Sequence, residues 1–182
     1  MMSEKLDGSN VCLESEAVFA RSHASAPNHP SFDALKALHS GIKFRIPAGL
    51  QVFGEWLYAK HSIGYDKLPS HLMVFGVRDL TTNRWASWEE VEMWADELAC
   101  PTVPVLERQV IVHSDAELQK LVEAHALLPS RVGEAREGIV VRRICDMADE
   151  LFSNYVAKWV RKDHVQTDDH WKSQAIVKNG IV

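Results

Sequence analysis

Seven short apolar runs fix most of what this chain can become. Residues 11–14, 17–21, 52–58, 72–77, 109–113, 138–144 and 155–160 are rich in Val, Ile or aromatic side chains, and polar or Gly/Pro segments bound most of them. Runs of that length and composition read as strands. Helical signals fall between them, but not after every strand. Ser87 with Glu90, and Ser114 with Glu117, have the spacing of capping boxes, in which hydroxyl and carboxylate satisfy the first free amides reciprocally. Val91, Trp94, Ala95 and Leu98 then share one helix face, and Leu118, Leu121 and Val122 another. Ser31 is placed to cap a third helix ending at Gly41, with Phe32, Leu35 and Leu38 inward, and Thr167 a fourth running through Lys178. Strands in the majority, without strict βαβ alternation, predict an α+β fold of largely antiparallel sheets with flanking helices.

The 182 residues fit one domain spanning 1–182, and 46% hydrophobic with 25% charged residues suits an ordinary water-facing globule with a core. No run of about 18 apolar residues predicts a membrane span, and no basic-then-apolar start predicts a secretory signal. Cys12, Cys100 and Cys145 are odd in number and widely spaced, which predicts buried free thiols in a reducing cytoplasm. The nine histidines form no metal-binding pattern. A net charge of −5 argues against a polyanionic partner until its distribution is considered. Residues 79–150 hold 15 acidic and 7 basic groups, so both flanking regions are net basic. The local field, not the total, decides what is attracted.

With no GxGxxG and no GxxxxGK[ST], any phosphate must be held by cationic side chains rather than a glycine loop. Four stretches offer charged groups in otherwise apolar settings. EKLDGSN, residues 4–10, presents Lys5 ahead of Asp7-Gly8, which also reads as a simple hairpin turn. FGEW, residues 53–56, sets Glu55 inside an apolar strand, where an edge-strand carboxylate facing solvent is the plain alternative. EGIVVR, residues 137–142, puts Glu137 at the head of a strand, where a turn carboxylate would also fit. YVAKWVRK, residues 155–162, centres Lys158 in a strand, where a snorkelling edge lysine is an ordinary finding. Each plain explanation holds singly; four together in one chain do not.

In this order the stretches resemble the covalent nucleotidyltransferases, specifically the ATP-dependent RNA ligases. Their signature of a Lys-x-Asp-Gly nucleophile, a following Arg, a Gly-Glu strand, an aromatic, a Glu-Gly strand and a Lys strand is matched by residues 4–10, 20–23, 53–56, 73–76, 137–142 and 157–159. The resemblance spans residues 4–162. It implies that Lys5 attacks the α-phosphate of ATP to form lysyl-AMP, with Glu4 and Asn10 lining the nucleotide. It further implies Arg21 at the sugar-phosphate, Glu55 at the ribose hydroxyls and Phe75 stacked on adenine. Glu137 would coordinate Mg²⁺ or Mn²⁺, and Lys158 would bind the α-phosphate. Lys60, His61, Arg161 and Lys162 are candidate contacts to RNA or phosphate. The implied partner is RNA with 5′-phosphate and 3′-hydroxyl ends, with an accessory protein where the chain alone does not seal them, and no membrane. His164–Trp171 also resembles a segment of bacterial RNA-ligase-like proteins, and reads either as a capped helix or as an RNA contact.

The implied roles agree with elementary chemistry. An amine attacks phosphorus only when uncharged, which desolvation and a neighbouring cation both favour. A lysine and a carboxylate-held divalent ion stabilise charge where it develops at the phosphate. Two departures stand out. Related nick-sealing enzymes carry a second lysine where this chain has Val160, and Arg161 would point to the other face. Relatives also carry a strand ahead of the nucleophile, whereas four residues precede Lys5, so an exposed sheet edge is expected. Twenty residues after Lys162 are too few for the OB-fold on which DNA ligases and capping enzymes depend, and Asn10 stands where those enzymes commonly have Arg. A DNA-ligase-like or capping-like enzyme is the first rival, and an RNA-binding relative without turnover the second.

Overall fold

The computed structural model describes residues 1–21, 27–162 and 175–182. Two sheets carry the fold. The first is four-stranded in the order β10-β8-β1-β7, built from β1 (Met2–Lys5), β7 (Val105–Glu107), β8 (Gly138–Arg142) and β10 (Val156–Val160). The second is six-stranded in the order β3-β2-β4-β5-β6-β9, from β2 (Ser9–Leu13), β3 (Val18–Ala20), β4 (Leu50–Trp56), β5 (Leu72–Asp79), β6 (Arg84–Trp85) and β9 (Met147–Ala148). Every pairing within the two sheets is antiparallel, as the sequence pattern predicts.

The alternation of each strand explains which face is core. In β4, Val52 and Trp56 are buried while Phe53 and Glu55 are half-buried on the other side. Val52 and Trp56 join Val11, Leu13, Leu72 and Val77 beneath α1 (Asp33–Ile42) and α2 (Trp88–Glu97), which contribute Leu35, Ile42, Val91 and Ala95. A smaller cluster of Met2 and Ile139 lies under Val122 and Ala126 of α3 (Asp115–Ala126). α4 (Phe152–Tyr155) is a single turn that leads into β10.

Capping follows the predicted pattern where the box is complete. The Ser87 side chain accepts from the Glu90 amide, and the Glu90 carboxylate accepts from the Ser87 amide at 2.7 Å. Ser87→Ala is expected to lower stability by about 1 kcal/mol, measured as a shift in the urea midpoint. At α3 the box is only half made. Ser114 accepts from the Glu117 amide, but Glu117 turns to the His113 amide at 2.7 Å.

Several expectations are corrected. Residues 109–113 form no strand, and the pairing segment is Val105–Glu107. Beyond Glu107 the antiparallel register runs past the beginning of β1, and Ile111 is 81% exposed. Asp7-Gly8 is not a hairpin turn, because β1 and β2 belong to different sheets. β1, the strand that ends at Lys5, is interior and paired on both sides, and the edges of its sheet are β10 and β7. His29, not Ser31, caps the short 3₁₀ turn ahead of α1, and that helix runs on past Gly41 to Ile42. Residues 175–177 are not helical and Lys178 forms a bridge with Ala59, so no helix runs through Lys178; its proposed beginning at Thr167 lies outside the described residues, as does His164–Trp171. Cys12 and Cys100 are buried, but Cys145 is exposed in the connection between β8 and β9. Among the described residues no helix is long and apolar enough to cross a membrane.

Candidate active site

The two sheets face one another, and the register decides which side chains lie between them. In β1, Met2 belongs to the cluster under α3, so Ser3 and Lys5 take the opposite face. Lys5 pairs with Gly138, which pairs with Val160; Ser3 pairs with Val140, which pairs with Lys158. Residues directly opposite in a sheet share a face, so Lys5 and Lys158 stand on the same wall. That wall confronts the second sheet, since Arg142 on the same face donates to the Phe75 and Ala86 carbonyls at 2.9 and 3.2 Å. Residues 101–104 also join the sheets: the amides of Val74 and Glu4 donate to the Pro101 and Pro104 carbonyls.

At the end of this wall, Lys5 Nζ donates to both carboxylate oxygens of Glu137, each at 2.6 Å. The Glu137 side chain is 7% exposed and that of Lys5 24%. Glu55 comes from the other sheet, directly opposite Asn10 in the β2–β4 register, and accepts from the Gly8 amide at 3.1 Å. Burial pushes the Glu55 carboxyl up to about 8; the charge of Lys5 opposes this, while Glu137 and Asp7 add to it.

Such a raised acid makes stability depend on pH. Unfolded, Glu55 loses its proton near 4.5; folded, it holds it to about 8. The native state therefore binds more protons across that window, and stability falls as pH rises through it. The expected slope is at most ~1.4 kcal/mol per pH unit. Glu55→Gln should flatten it, as read from urea midpoints between pH 5 and 8.

The turn that carries Lys5 is held from beneath. Asp7 Oδ2 accepts from the Ser62 amide (2.9 Å), the Ser62 hydroxyl (2.6 Å) and the Ile63 amide (2.9 Å), while the Asp7 amide donates to Tyr65 Oη at 2.8 Å. Gly8 is required by close approach. A Cβ there would lie 2.7 Å from the Trp56 carbonyl oxygen and 2.8 Å from Leu57 Cδ2. Asp7, Ser62 and Tyr65 were not read as site residues. Asp7 is signalled by the Lys-x-Asp-Gly stretch, but nothing local signals that it grips Ser62 and Ile63 or meets Tyr65.

Phe75 is placed by a β-bulge. Phe53 pairs with Gly76 but Gly54 with Val74, which leaves Phe75 as the extra residue of β5. Bulges re-aim side chains, and the carbonyl freed here is the one that Arg142 binds. Burial lowers the Arg142 guanidinium to about 10, yet three carbonyls accept from it. Arg142 was also missed; its only signal was a charged residue closing an apolar strand.

Other predicted residues stand further out. Glu4 is 1% exposed and does not line an open surface. Strand alternation turns it away from Lys5, and its carboxylate accepts from the Ser130 hydroxyl and from the Arg131 amide at 2.9 Å, with Arg136 Nε 3.6 Å away. Desolvation raises its pKa, and these partners oppose the rise. Arg21 is exposed in the turn after β3, an edge strand. Lys158 is exposed on β10, also an edge strand. Lys60 and Lys162 are exposed, and Arg161, half-buried, donates its amide to the Glu137 carbonyl at 3.1 Å. His61 Nε2 lies 3.5 Å from the Ser9 hydroxyl.

A sequence profile of the RNA ligase family matches residues 1–160. The chain belongs to the RNA ligase family. Solved structures agree on the fold of this family member. A substituted form of the Naegleria gruberi RNA ligase with ATP and manganese has a TM-score of 0.58 at 18% identity, covering 88% of this chain and 49% of that one. A second substituted form, also with ATP and manganese, gives 0.59 at 19% identity, covering 87% and 48%. An archaeal ATP-dependent RNA ligase gives 0.54 at 18% identity, covering 87% and 41%. This RNA ligase family chain thus spans about half the length of the solved relatives it matches. A search of curated proteins finds no sequence match.

Proposed function

We propose that this chain is an ATP-dependent RNA ligase in which Lys5 carries AMP covalently. The supporting observation is the meeting of Lys5 with Glu137 at one sheet face, with Lys158 on the same face and Glu55 coming from the other sheet. Lys5 Nζ, once uncharged, attacks the α-phosphorus of ATP. A phosphoramidate N–P bond forms, the bond to the bridging oxygen breaks, pyrophosphate leaves, and the amine proton passes to solvent.

Glu137 both balances the ammonium form of Lys5 and offers hard oxygens, the donors that Mg²⁺ or Mn²⁺ takes alongside phosphate oxygens and water. One carboxylate, completed by phosphate oxygens and water, fits such an ion, and Glu137 would hold it. When bound, such an ion supplies positive charge beside the phosphates. Lys158 presents its ammonium to the α-phosphate, where charge grows as the bond forms. Glu55 and Asn10, side by side across β4 and β2, take the ribose. With its raised pKa Glu55 is able to donate as well as accept near neutral pH. Phe75 stacks on adenine from its bulge, and Glu4 holds residues 130–136 behind the site. Arg21 meets the sugar-phosphate from the rim. Lys60, His61, Arg161 and Lys162 receive RNA phosphates.

In the second step an oxygen of the RNA 5′-phosphate attacks the same α-phosphorus, the N–P bond breaks, and Lys5 is regenerated. In the third the RNA 3′-hydroxyl attacks the 5′-phosphorus, and AMP leaves as the phosphodiester forms. The partners are RNA ends of that chemistry in the cytoplasm, with an accessory protein where sealing needs one.

The test is incubation with α-labelled ATP and Mg²⁺ or Mn²⁺. A covalent, acid-labile AMP adduct is expected, discharged by nicked RNA bearing a 5′-phosphate as joined product appears. Absence of adduct across all metal concentrations would overturn the reading in favour of an RNA binder. Preferential labelling by GTP would indicate capping chemistry, and sealing of nicked DNA alone a DNA ligase.

A further inference from the structure

Asn179 is a buried polar side chain to which the nucleotidyl chemistry above assigns no role. It is 6% exposed, and both ends of its amide are committed to one loop. Oδ1 accepts from the Tyr65 amide at 2.9 Å, and Nδ2 donates to the Leu57 carbonyl at 2.8 Å. The backbone around it is laced to the same loop. Lys60 donates to Val177, Asn179 to the Tyr58 carbonyl, Gly180 to the Tyr65 carbonyl, and Leu68 to Gly180.

Leu57 and Tyr65 are also among the residues of that loop that touch the turn after Lys5. Tyr65 Oη receives the Asp7 amide, and Leu57 Cδ2 closes the space where a Gly8 side chain would be. Between them Ser62 and Ile63 grip the Asp7 carboxylate. One planar amide therefore fixes the separation of two points that bracket Asp7-Gly8, two and three residues from Lys5. A donor and an acceptor on one rigid group are needed for this, which Asn supplies and Ala or Asp does not.

We propose that Asn179 is a positioning residue for Lys5, acting through Leu57 and Tyr65 on the turn that presents the amine. The inference rests on the lysyl-AMP reading. Its test compares the full chain with Asn179→Ala, Tyr65→Phe and the double variant, in single-turnover formation of the AMP adduct from α-labelled ATP and Mn²⁺. Each single variant is expected to lower the maximal rate about tenfold, as small displacement of a reacting atom does. The ATP concentration giving half the maximal rate should stay within about twofold, because binding contacts are untouched. The double variant should be no slower than the slower single one, since both changes break one path.

A maximal rate equal to the parent's in either folded single variant overturns the inference, as does a multiplied loss in the double variant. If Asn179→Ala does not fold, Asn179→Asp, which keeps the acceptor for the Tyr65 amide and loses the donor to the Leu57 carbonyl, replaces it beside Tyr65→Phe. A parent chain that forms no Lys5-dependent adduct removes the lysyl-AMP reading and this inference with it. A parent that labels beside variants that label equally fast removes only the inference.

Discussion

Lys5→Ala is expected to abolish the AMP adduct, a loss of about 10³-fold or more against the parent chain at every Mg²⁺ and Mn²⁺ concentration. The reason is positional as well as chemical. Lys158 shares the sheet face, but it is exposed on β10, while Lys5 is bonded to the Glu137 carboxylate. Alanine also removes the charge opposite a carboxylate that is 7% exposed, so a stability loss on the order of 1–2 kcal/mol accompanies it. Lys5→Arg separates the two effects. A guanidinium is able to keep the ion pair with Glu137, yet it stays protonated and cannot attack phosphorus. The arginine variant should therefore fold with near-parental stability and still form no adduct. Normal labelling of either variant, read on a denaturing gel, would refute the assignment of Lys5.

Gly138→Ala is expected to cost several kcal/mol of stability, ~3 or more, and to slow any remaining adduct formation by about 10²-fold. A Cβ at residue 138 would sit 2.0 Å from the Trp159 carbonyl oxygen and 3.0 Å from both Trp159 C and Val160 Cα. These are backbone atoms, so no rotamer change relieves the overlap. β8 must instead move away from β10, breaking the Trp159–Ile139 and Val160–Gly138 register and tilting Lys158 off the wall it shares with Lys5. Gly41→Ala is the control. Nothing lies within 4 Å of a Cβ there, and in α1 the change should stabilise by roughly 0.5–1 kcal/mol. Parallel urea melts and single-turnover labelling measure both. Parental stability in Gly138→Ala would mean that the strands do not approach as closely as described.

The site was legible in the sequence to the extent that it is carried by strands. Glu55 alternates with core residues in β4, and Glu137 immediately precedes β8, so period put each on or beside a strand while only the family resemblance pointed to a shared site. Met2–Lys5 escaped this reading because four residues, two of them charged, carry no strand pattern. They are a strand because β7 and β8 bond them from both sides. The opposite error occurred at residues 109–113, where the pattern is good but no strand lies alongside among the described residues. β-Structure is a property of the pair, and one chain segment states only half of it.

What the sequence determined by itself is local and periodic: the antiparallel strand character, the Ser87 capping box, and the order of charged residues on successive strands. These follow from side-chain volume, polarity and spacing, which act over a few residues. Tertiary structure alone decided that Asp7-Gly8 crosses between sheets, that Phe75 is a bulge residue, and that Asn179 reaches the loop beneath Lys5. Each of these depends on a hydrogen-bond partner or a close backbone approach far along the chain, 114 residues away for Asn179 and Tyr65. No local pattern encodes such a partner, because the bond exists only after the sheets have packed.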